Sequence, residues 1–205
     1  MVNLYNTKWI GFGYDLLASL IWFPSKKKLY RKCVSLINIE KGDSVLELAC
    51  GTGYLTLQLL NKQADVISVD QSVGMLAKAK QRVPFGKFVH SDMFKYTNSK
   101  KFDYVVFFFV LHELTASERI RILKLAKGFL NKNGKIIICD FSIPNEGIMK
   151  TIFPKLIRLW ESHEVSEFLK NALSDEIRHT NLTVTCQKKL HNGMVQLIEV
   201  KESTL

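Results

Sequence analysis

The stretch Ser44-Val-Leu-Glu-Leu-Ala-Cys-Gly-Thr-Gly-Tyr54 limits the possible folds of this chain more than any other. Val45, Leu46 and Leu48 read as a short buried strand carrying an acid, Glu47, near its end. Gly51-Thr52-Gly53 is a tight turn, and Leu55, Leu57, Leu59 and Leu60 open a helix directly after it. Strand, glycine turn and helix in that order bring backbone N–H groups and a helix N-terminus to a ligand at the carboxyl edge of a parallel sheet. Glycine is needed where a Cβ would hold the backbone away from that ligand.

Two nucleotide-binding chemistries compete for the turn. A nicotinamide-dependent oxidoreductase would use G-x-G-x-x-G, but Thr56 stands at the third glycine and the motif gives Glu47 no role. Glu47-Leu-Ala-Cys-Gly-Thr-Gly53 instead resembles the first motif of class I S-adenosylmethionine-dependent methyltransferases. The family's first glycine is Ala49 here, a departure expected only to tighten the turn. The alternative is an ordinary strand-to-helix turn of some other α/β protein.

Two further acids follow in order. Asp65 to Asp70 is a second buried strand ending in a carboxylate, roughly 20 residues past the turn, the offset at which an acid can chelate a ribose diol. Ser72 reads as the N-cap of a helix over Val73, Met75, Leu76, Ala77 and Ala79 that stops before Pro84. Lys87 to His90 is a short third strand, followed by Ser91-Asp92-Met93. The resemblance implies that Asp70 holds the ribose, that Asp92 binds the adenine amino group, and that Met93 packs near the ring. The cofactor set it implies also includes Ala49, Cys50, Gly51, Gly53, Gln71 and Phe109, with Tyr14 (beside Asp15) as part of a cover. Phe94, Phe109, Phe141 and the Tyr14 region are the candidates for an aromatic wall around the sulfonium.

Phe102 to Leu111 is apolar throughout, as expected of a fourth strand buried on both faces. Phe102-Asp-Tyr-Val105 and Leu111-His-Glu-Leu114 resemble the family's fourth motif. The Asn/Asp-Pro-Pro-Tyr and Pro-Cys motifs of nucleic-acid methylating enzymes are absent, which disfavours nucleic acid as acceptor. His112 can be read as a general base for the acceptor's proton or as a polar residue at the entrance to the next helix. No second histidine follows four residues on, so no zinc motif is present and no metal is expected.

Thr115-Ala-Ser-Glu118 is a capping box. The helix it opens is expected to end on Asn131-Lys-Asn-Gly134, with the strand Lys135 to Asp140 after it. Ile148 to Leu173 reads as helical, kinked or divided at Pro154, with His163-Glu164 a distant candidate for acceptor contacts. The chain closes on a hairpin, Leu182–Leu190 and Met194–Val200, turning at Asn192-Gly193. The resemblance implies an α/β, Rossmann-like sheet of seven strands. It is mostly parallel, ordered 3-2-1-4-5-7-6 with the last strand antiparallel, and has helices on both faces. One domain over 1–205 is expected: 1–40 as lid or interfacial helices, 43–140 as the cofactor core, and 145–205 as the substrate-side helix and hairpin.

A formal charge of +10 implies affinity for something anionic or merely solvated lysine-rich faces. Trp9, Phe12, Tyr14, Trp22 and Phe23 precede Lys26-Lys27-Lys28, a pattern that suits either a lid packed on the domain or an interfacial helix on anionic lipid. The four cysteines are scattered without C-x-x-C, suiting a reducing, cytoplasmic setting. The N-terminal apolar stretch, interrupted by Asp15, is not read as a signal peptide. The resemblance is nearest to the ubiquinone/menaquinone-biosynthesis and phospholipid N-methyltransferase subgroup. It implies a lipophilic or membrane-presented small-molecule acceptor, with S-adenosylhomocysteine as product and a place at the inner face of a membrane. A soluble metabolite or RNA as acceptor, and a cofactor-binding scaffold without turnover, remain the alternatives.

Overall fold

In the computed structural model the described residues are 26–160, 163–171 and 173–203. Tyr14 and the aromatic segment before Pro24 therefore lie outside the described residues. Seven strands form a sheet ordered β3-β2-β1-β4-β5-β7-β6, as the resemblance implied. The chain divides into two compact units, one ending at Thr97 and the other beginning at Asn98.

The first unit contains α1 (Lys26–Ser35), β1 (Ser44–Leu48), α2 (Tyr54–Asn61), β2 (Asp65–Asp70), α3 (Val73–Arg82) and β3 (Lys87–His90). Every residue of β1 is buried, the pattern of a strand covered on both faces. It pairs in parallel with β2, Val45 opposite Val66 and Leu48 opposite Val69, and β2 pairs in parallel with β3. Helix α1 buries Leu29, Tyr30, Cys33 and Val34 and packs on α2, while Lys27, Lys28, Arg31 and Lys32 face solvent. Burying a side chain such as Leu29 contributes roughly 1.5–3 kcal/mol, so the apolar stripe fixes which way α1 faces. The Ser72 hydroxyl accepts the Met75 N–H at 3.3 Å and caps α3, as its sequence position suggested.

The second unit contains β4 (Phe102–Phe108), α4 (Ala116–Gly128), β5 (Leu130–Phe141), α5 (Met149–Trp160), α6 (His163–Asn171), α7 (Ser174–Arg178), β6 (Leu182–Leu190) and β7 (Val195–Glu202). Strands β4 and β5 are parallel, and β7 is antiparallel to both β5 and β6. Both halves of the Thr115–Glu118 capping box form. Pro154 sits inside α5 without dividing it. The hairpin turns through Asn192 and Gly193, with φ of 55° and 84°.

Gly134 departs from the sequence expectation. Helix α4 ends at Gly128, and Gly134 lies within β5, where the register with β4 jumps from Phe102↔Leu130 to Tyr104↔Lys135. A Cβ on Gly134 would stand 2.8 Å from the Phe102 carbonyl oxygen and 3.0 Å from the Leu130 Cβ. Close backbone approach at a bulge, and not a helix cap, is what demands glycine here. Gly134→Ala is expected to destabilise the fold by about 1–3 kcal/mol. Gly128→Ala, which meets nothing within 4 Å, is expected to be neutral or to stabilise by up to about 1 kcal/mol. Urea unfolding midpoints of the two variants check both.

Candidate functional site: strand-end carboxyls and the glycine turn

In the first unit the turn after β1 runs through left-handed backbone at Ala49 (φ 60°), Gly51 (φ 53°) and Gly53 (φ 75°). Ala49 is thus more than a tightened turn, because an L-residue held there carries roughly 1–2 kcal/mol of steric strain. Gly53 caps the N-terminus of α2, and a Cβ on it would meet the Ala79 Cβ at 3.1 Å and Cα at 3.2 Å. Two helices therefore approach each other at the turn, and glycine permits the approach.

Asp70, the last residue of β2, holds the turn in place. Its Oδ2 accepts the Gly51 N–H at 2.7 Å and its Oδ1 accepts the Ser72 N–H at 2.8 Å. The Cys50 N–H donates to the Val69 carbonyl at 3.0 Å. Burial raises the Asp70 carboxyl above its ordinary range, and the two N–H groups pull it back. Each carboxylate oxygen keeps acceptor capacity beyond the one bond it makes. Arg82 lies over the Tyr54 ring at 3.7 Å and donates to the Thr52 carbonyl, bracing the turn through a contact 30 residues apart in sequence that no local pattern signals. Burial first, then the charges of Glu47 and Asp70, push the Cys50 thiol up, so it stays protonated and unreactive.

Glu47 is 2% exposed. Its Oε2 accepts the Thr56 hydroxyl at 2.5 Å and the Ser68 hydroxyl at 2.7 Å, and those hydroxyls stand 3.1 Å apart. Thr56 is therefore a buried donor to the acid, a role hidden behind its failure to be the third glycine of a dinucleotide motif. Desolvation raises the Glu47 carboxyl to about 7; the two hydroxyls oppose this and nearby Asp70 reinforces it.

At the end of β3 the Asp92 Oδ1 accepts the Phe94 N–H at 2.8 Å, and the Ser91 N–H donates to the Asp70 carbonyl at 3.1 Å. Met93 is half-buried, and Gln71 is exposed with its carbonyl 3.0 Å from the His90 Nε2. The fold thus gathers Glu47, Asp70 and the glycine turn and ties the β3 end to them.

In the second unit His112 is fully buried, on a short 3-10 turn after β4. Its Nδ1 lies 2.6 Å from the Asp140 Oδ1. Asp140, near the end of β5, also accepts the Leu111 N–H at 3.0 Å, the His112 N–H at 3.3 Å and the Phe141 N–H at 2.8 Å. A ring that donates Nδ1–H to a carboxylate presents Nε2 as its basic nitrogen. Phe141 packs on His112 at 4.6 Å and on Phe109 at 5.4 Å, and Phe168 of α6 stands 6.3 Å from His112. Phe109 has φ 51°, so both turns after a central strand, at Ala49 and at Phe109, hold a non-glycine residue in left-handed backbone. Buried Arg119 pairs with Glu176 at 2.6 Å and donates to the Leu114 carbonyl, clamping the turn that carries His112. Asp140 was legible only as a strand end; the same pattern that marked Asp70, an acid closing an apolar strand, was the available signal.

Ala49→Gly is expected to raise stability by up to about 1 kcal/mol, read from urea unfolding, because relief of strain outweighs the added chain entropy. Glu47 yields a pH prediction. Its folded-state value of about 7 lies above its ordinary 4.5, so the stabilisation from its protonated form is full below about 4.5 and lost as pH rises through about 7. Glu47→Gln cannot titrate and should remove this slope, leaving the variant favoured over wild type at about pH 8 by on the order of 3 kcal/mol. Thermal and urea unfolding between about pH 5 and 8 checks it; parallel curves for the two proteins would contradict the assignment.

Residues 39–194 match the protein family described as "Methyltransferase domain". An uncharacterized methyltransferase of Alkaliphilus oremlandii is 30% identical over 120 residues, 58% of this chain and 56% of that protein. A demethylmenaquinone methyltransferase of Beutenbergia cavernae is 28% identical over 137 residues, 64% of this chain and 54% of that protein. The chain spans about half the length of these curated relatives. The structure of magnesium protoporphyrin IX methyltransferase from Synechocystis with bound SAH matches with a TM-score of 0.70 at 17% identity, covering 96% of each chain. At that identity the likeness establishes the fold. The family match spans well over half of the sequence, and the protein belongs to the methyltransferase-domain family.

Proposed function

We propose that the chain transfers a methyl group from S-adenosylmethionine to a small lipophilic or membrane-presented acceptor of quinone or phospholipid type. The observation that carries this reading is the gathering of buried Glu47 and Asp70 around a glycine turn at the start of α2. The donor set fits the cofactor. Carboxylates suit a ribose diol and cationic groups, and the glycines keep Cβ atoms out of the approach.

When bound, S-adenosylmethionine supplies an electrophilic methyl on its sulfonium for in-line displacement. In this reading Asp70 takes the ribose diol while still bonded to the Gly51 and Ser72 N–H groups. Asp92 receives the adenine amino group, with Met93 beside the ring. Ala49, Cys50, Gly51 and Gly53 line the turn, Gln71 borders it, and Phe109 belongs to the aromatic wall. His112 accepts the acceptor's proton at Nε2, and Asp140 holds the imidazole and stabilises the imidazolium that forms. Alignment of donor and acceptor and exclusion of water supply the rest of the rate.

Two observations favour the acceptor class. The relative from Beutenbergia cavernae bears the name demethylmenaquinone methyltransferase. Helix α1 presents Lys27, Lys28, Arg31 and Lys32 to solvent on one side, a surface suited to anionic headgroups. No helix among the described residues is long and apolar enough to cross a membrane.

Methyl-labelled S-adenosylmethionine incubated with cell extract, with Asp70→Asn as control, is expected to give Asp70-dependent label in the organic phase. Label in RNA or in water-soluble metabolites would overturn the acceptor class. No label, with S-adenosylhomocysteine binding intact, would favour a scaffold. His112→Ala should lower kcat by about 10²–10⁴-fold if proton removal accompanies transfer. Sedimentation with anionic vesicles is expected for the wild type and lost in Lys27→Glu/Lys28→Glu.

A further inference from the structure

We infer that Thr56 and Ser68 are positioning residues whose hydroxyls hold Glu47 as the acid that releases a proton when a cationic ligand enters the glycine-turn site. The inference rests on the cofactor reading above and adds to it a coupling between ligand binding and protonation.

The geometry is specific. Two hydroxyls from different elements, Thr56 of α2 and Ser68 of β2, converge on one oxygen of a buried carboxyl at 2.5 and 2.7 Å. Thr56 and Ser68 are themselves fully buried. Neither hydroxyl carries charge, so together they orient the acid without neutralising it. Each can donate to a carboxylate, and each can also accept from a neutral carboxyl, so the cluster tolerates both protonation states of Glu47. A lysine or arginine in their place would fix the carboxylate permanently and leave no exchangeable proton.

The surroundings set the direction of the coupling. Beside Glu47, on β2, lies a second buried carboxyl, Asp70, whose like charge disfavours ionisation of Glu47. The turn contributes the Cys50 thiol, which stays protonated, and the Thr56 backbone N–H assists the carboxylate. His90, exposed at the end of β3, acts on Asp70. Burial holds Glu47 near half-ionised at neutral pH, at about 7. A ligand bearing an ammonium, with or without a sulfonium, supplies the positive charge these residues lack. Its entry favours the Glu47 carboxylate, and the proton leaves to solvent.

The test uses S-adenosylhomocysteine, which carries the ammonium, and titration calorimetry in buffers of different ionisation enthalpy. Wild type is expected to release roughly half a proton per ligand bound near pH 7 and to bind about tenfold more tightly at about pH 8 than at about pH 6. Thr56→Val and Ser68→Ala remove donors that favour the carboxylate, so the pH at which affinity levels off should move upward. Thr56→Ser, which keeps the hydroxyl, should hold the wild-type profile. Glu47→Gln should bind with no proton release at any pH. Thermal unfolding of each variant separates a shifted profile from a misfolded protein, since misfolding lowers affinity at all pH values without moving the midpoint. Wild-type binding without proton release, or a midpoint unmoved by Thr56→Val and Ser68→Ala, would overturn the inference and leave the cofactor reading standing. Wild type that binds no S-adenosylhomocysteine at any pH would overturn both.

Discussion

A carboxylate buried at the end of a parallel strand is tolerable only when hydrogen-bond donors converge on it, since its desolvation otherwise costs several kcal/mol. The protein meets this constraint the same way in each of its two units. Asp70 at the end of β2 accepts the N–H groups of Gly51 and Ser72, one from the turn after β1 and one from the turn after β2. Asp140 near the end of β5 accepts those of Leu111 and His112 from the turn after β4, and that of Phe141 at the end of its own strand. In both cases the acid of one strand fixes the loop that follows another. The loops would otherwise lose conformational freedom at roughly 1–2 kcal/mol per residue with little in return. Removing Asp70 would orphan two N–H groups and removing Asp140 three, which is why loop shape depends on these two side chains.

The strained residues sit where these acids can hold them. Ala49 follows β1 and Phe109 follows β4, each in left-handed backbone. Strain of this kind persists only where the surroundings over-determine the conformation. Near Ala49 the N–H bonds of Cys50 to Val69 and of Gly51 to Asp70 supply that determination. Near Phe109 the bond of its own N–H to the Cys139 carbonyl at 2.8 Å, and the Asp140 cluster just beyond, do the same. Glu47 is handled differently. Burial raises its carboxyl to about 7, and the two hydroxyls that converge on it offset only part of that rise.

Much of the first unit was legible because its signals are local. The β1 run, the Ser72 cap and the Asp65–Asp70 strand are each set by neighbouring residues, as is the Thr115–Glu118 box of the second unit, and the structure forms all of them. The strand order was carried by resemblance, since no local rule dictates which strands become neighbours. What escaped is long-range. The pairing of Asp140 with His112 joins residues 28 apart in sequence. Thr56 read as a missing glycine because its role depends on an acid nine residues earlier that meets it only after β1 and α2 pack. Gly134 read as a helix stop because composition alone does not separate a cap glycine from one demanded by the Phe102 carbonyl opposite.

Charge is distributed against the sign of the whole. The chain carries a net +10, yet the glycine-turn site gathers buried carboxyls. Helix α1 has no acid in its first turn and exposes Lys27, Lys28, Arg31 and Lys32, and like charges on one helix cost a few tenths of a kcal/mol per pair. Nothing in the packing of α1 requires those cations, because its apolar stripe of Leu29, Tyr30, Cys33 and Val34 already fixes it. An outer surface that bears positive charge is stabilised by an anionic partner. An inner site that bears negative charge is stabilised by a cationic one. The two demands fall on different residues of the first unit, Glu47 and Asp70 at the turn and the cations on the outer face of α1, so each can be met without disturbing the other.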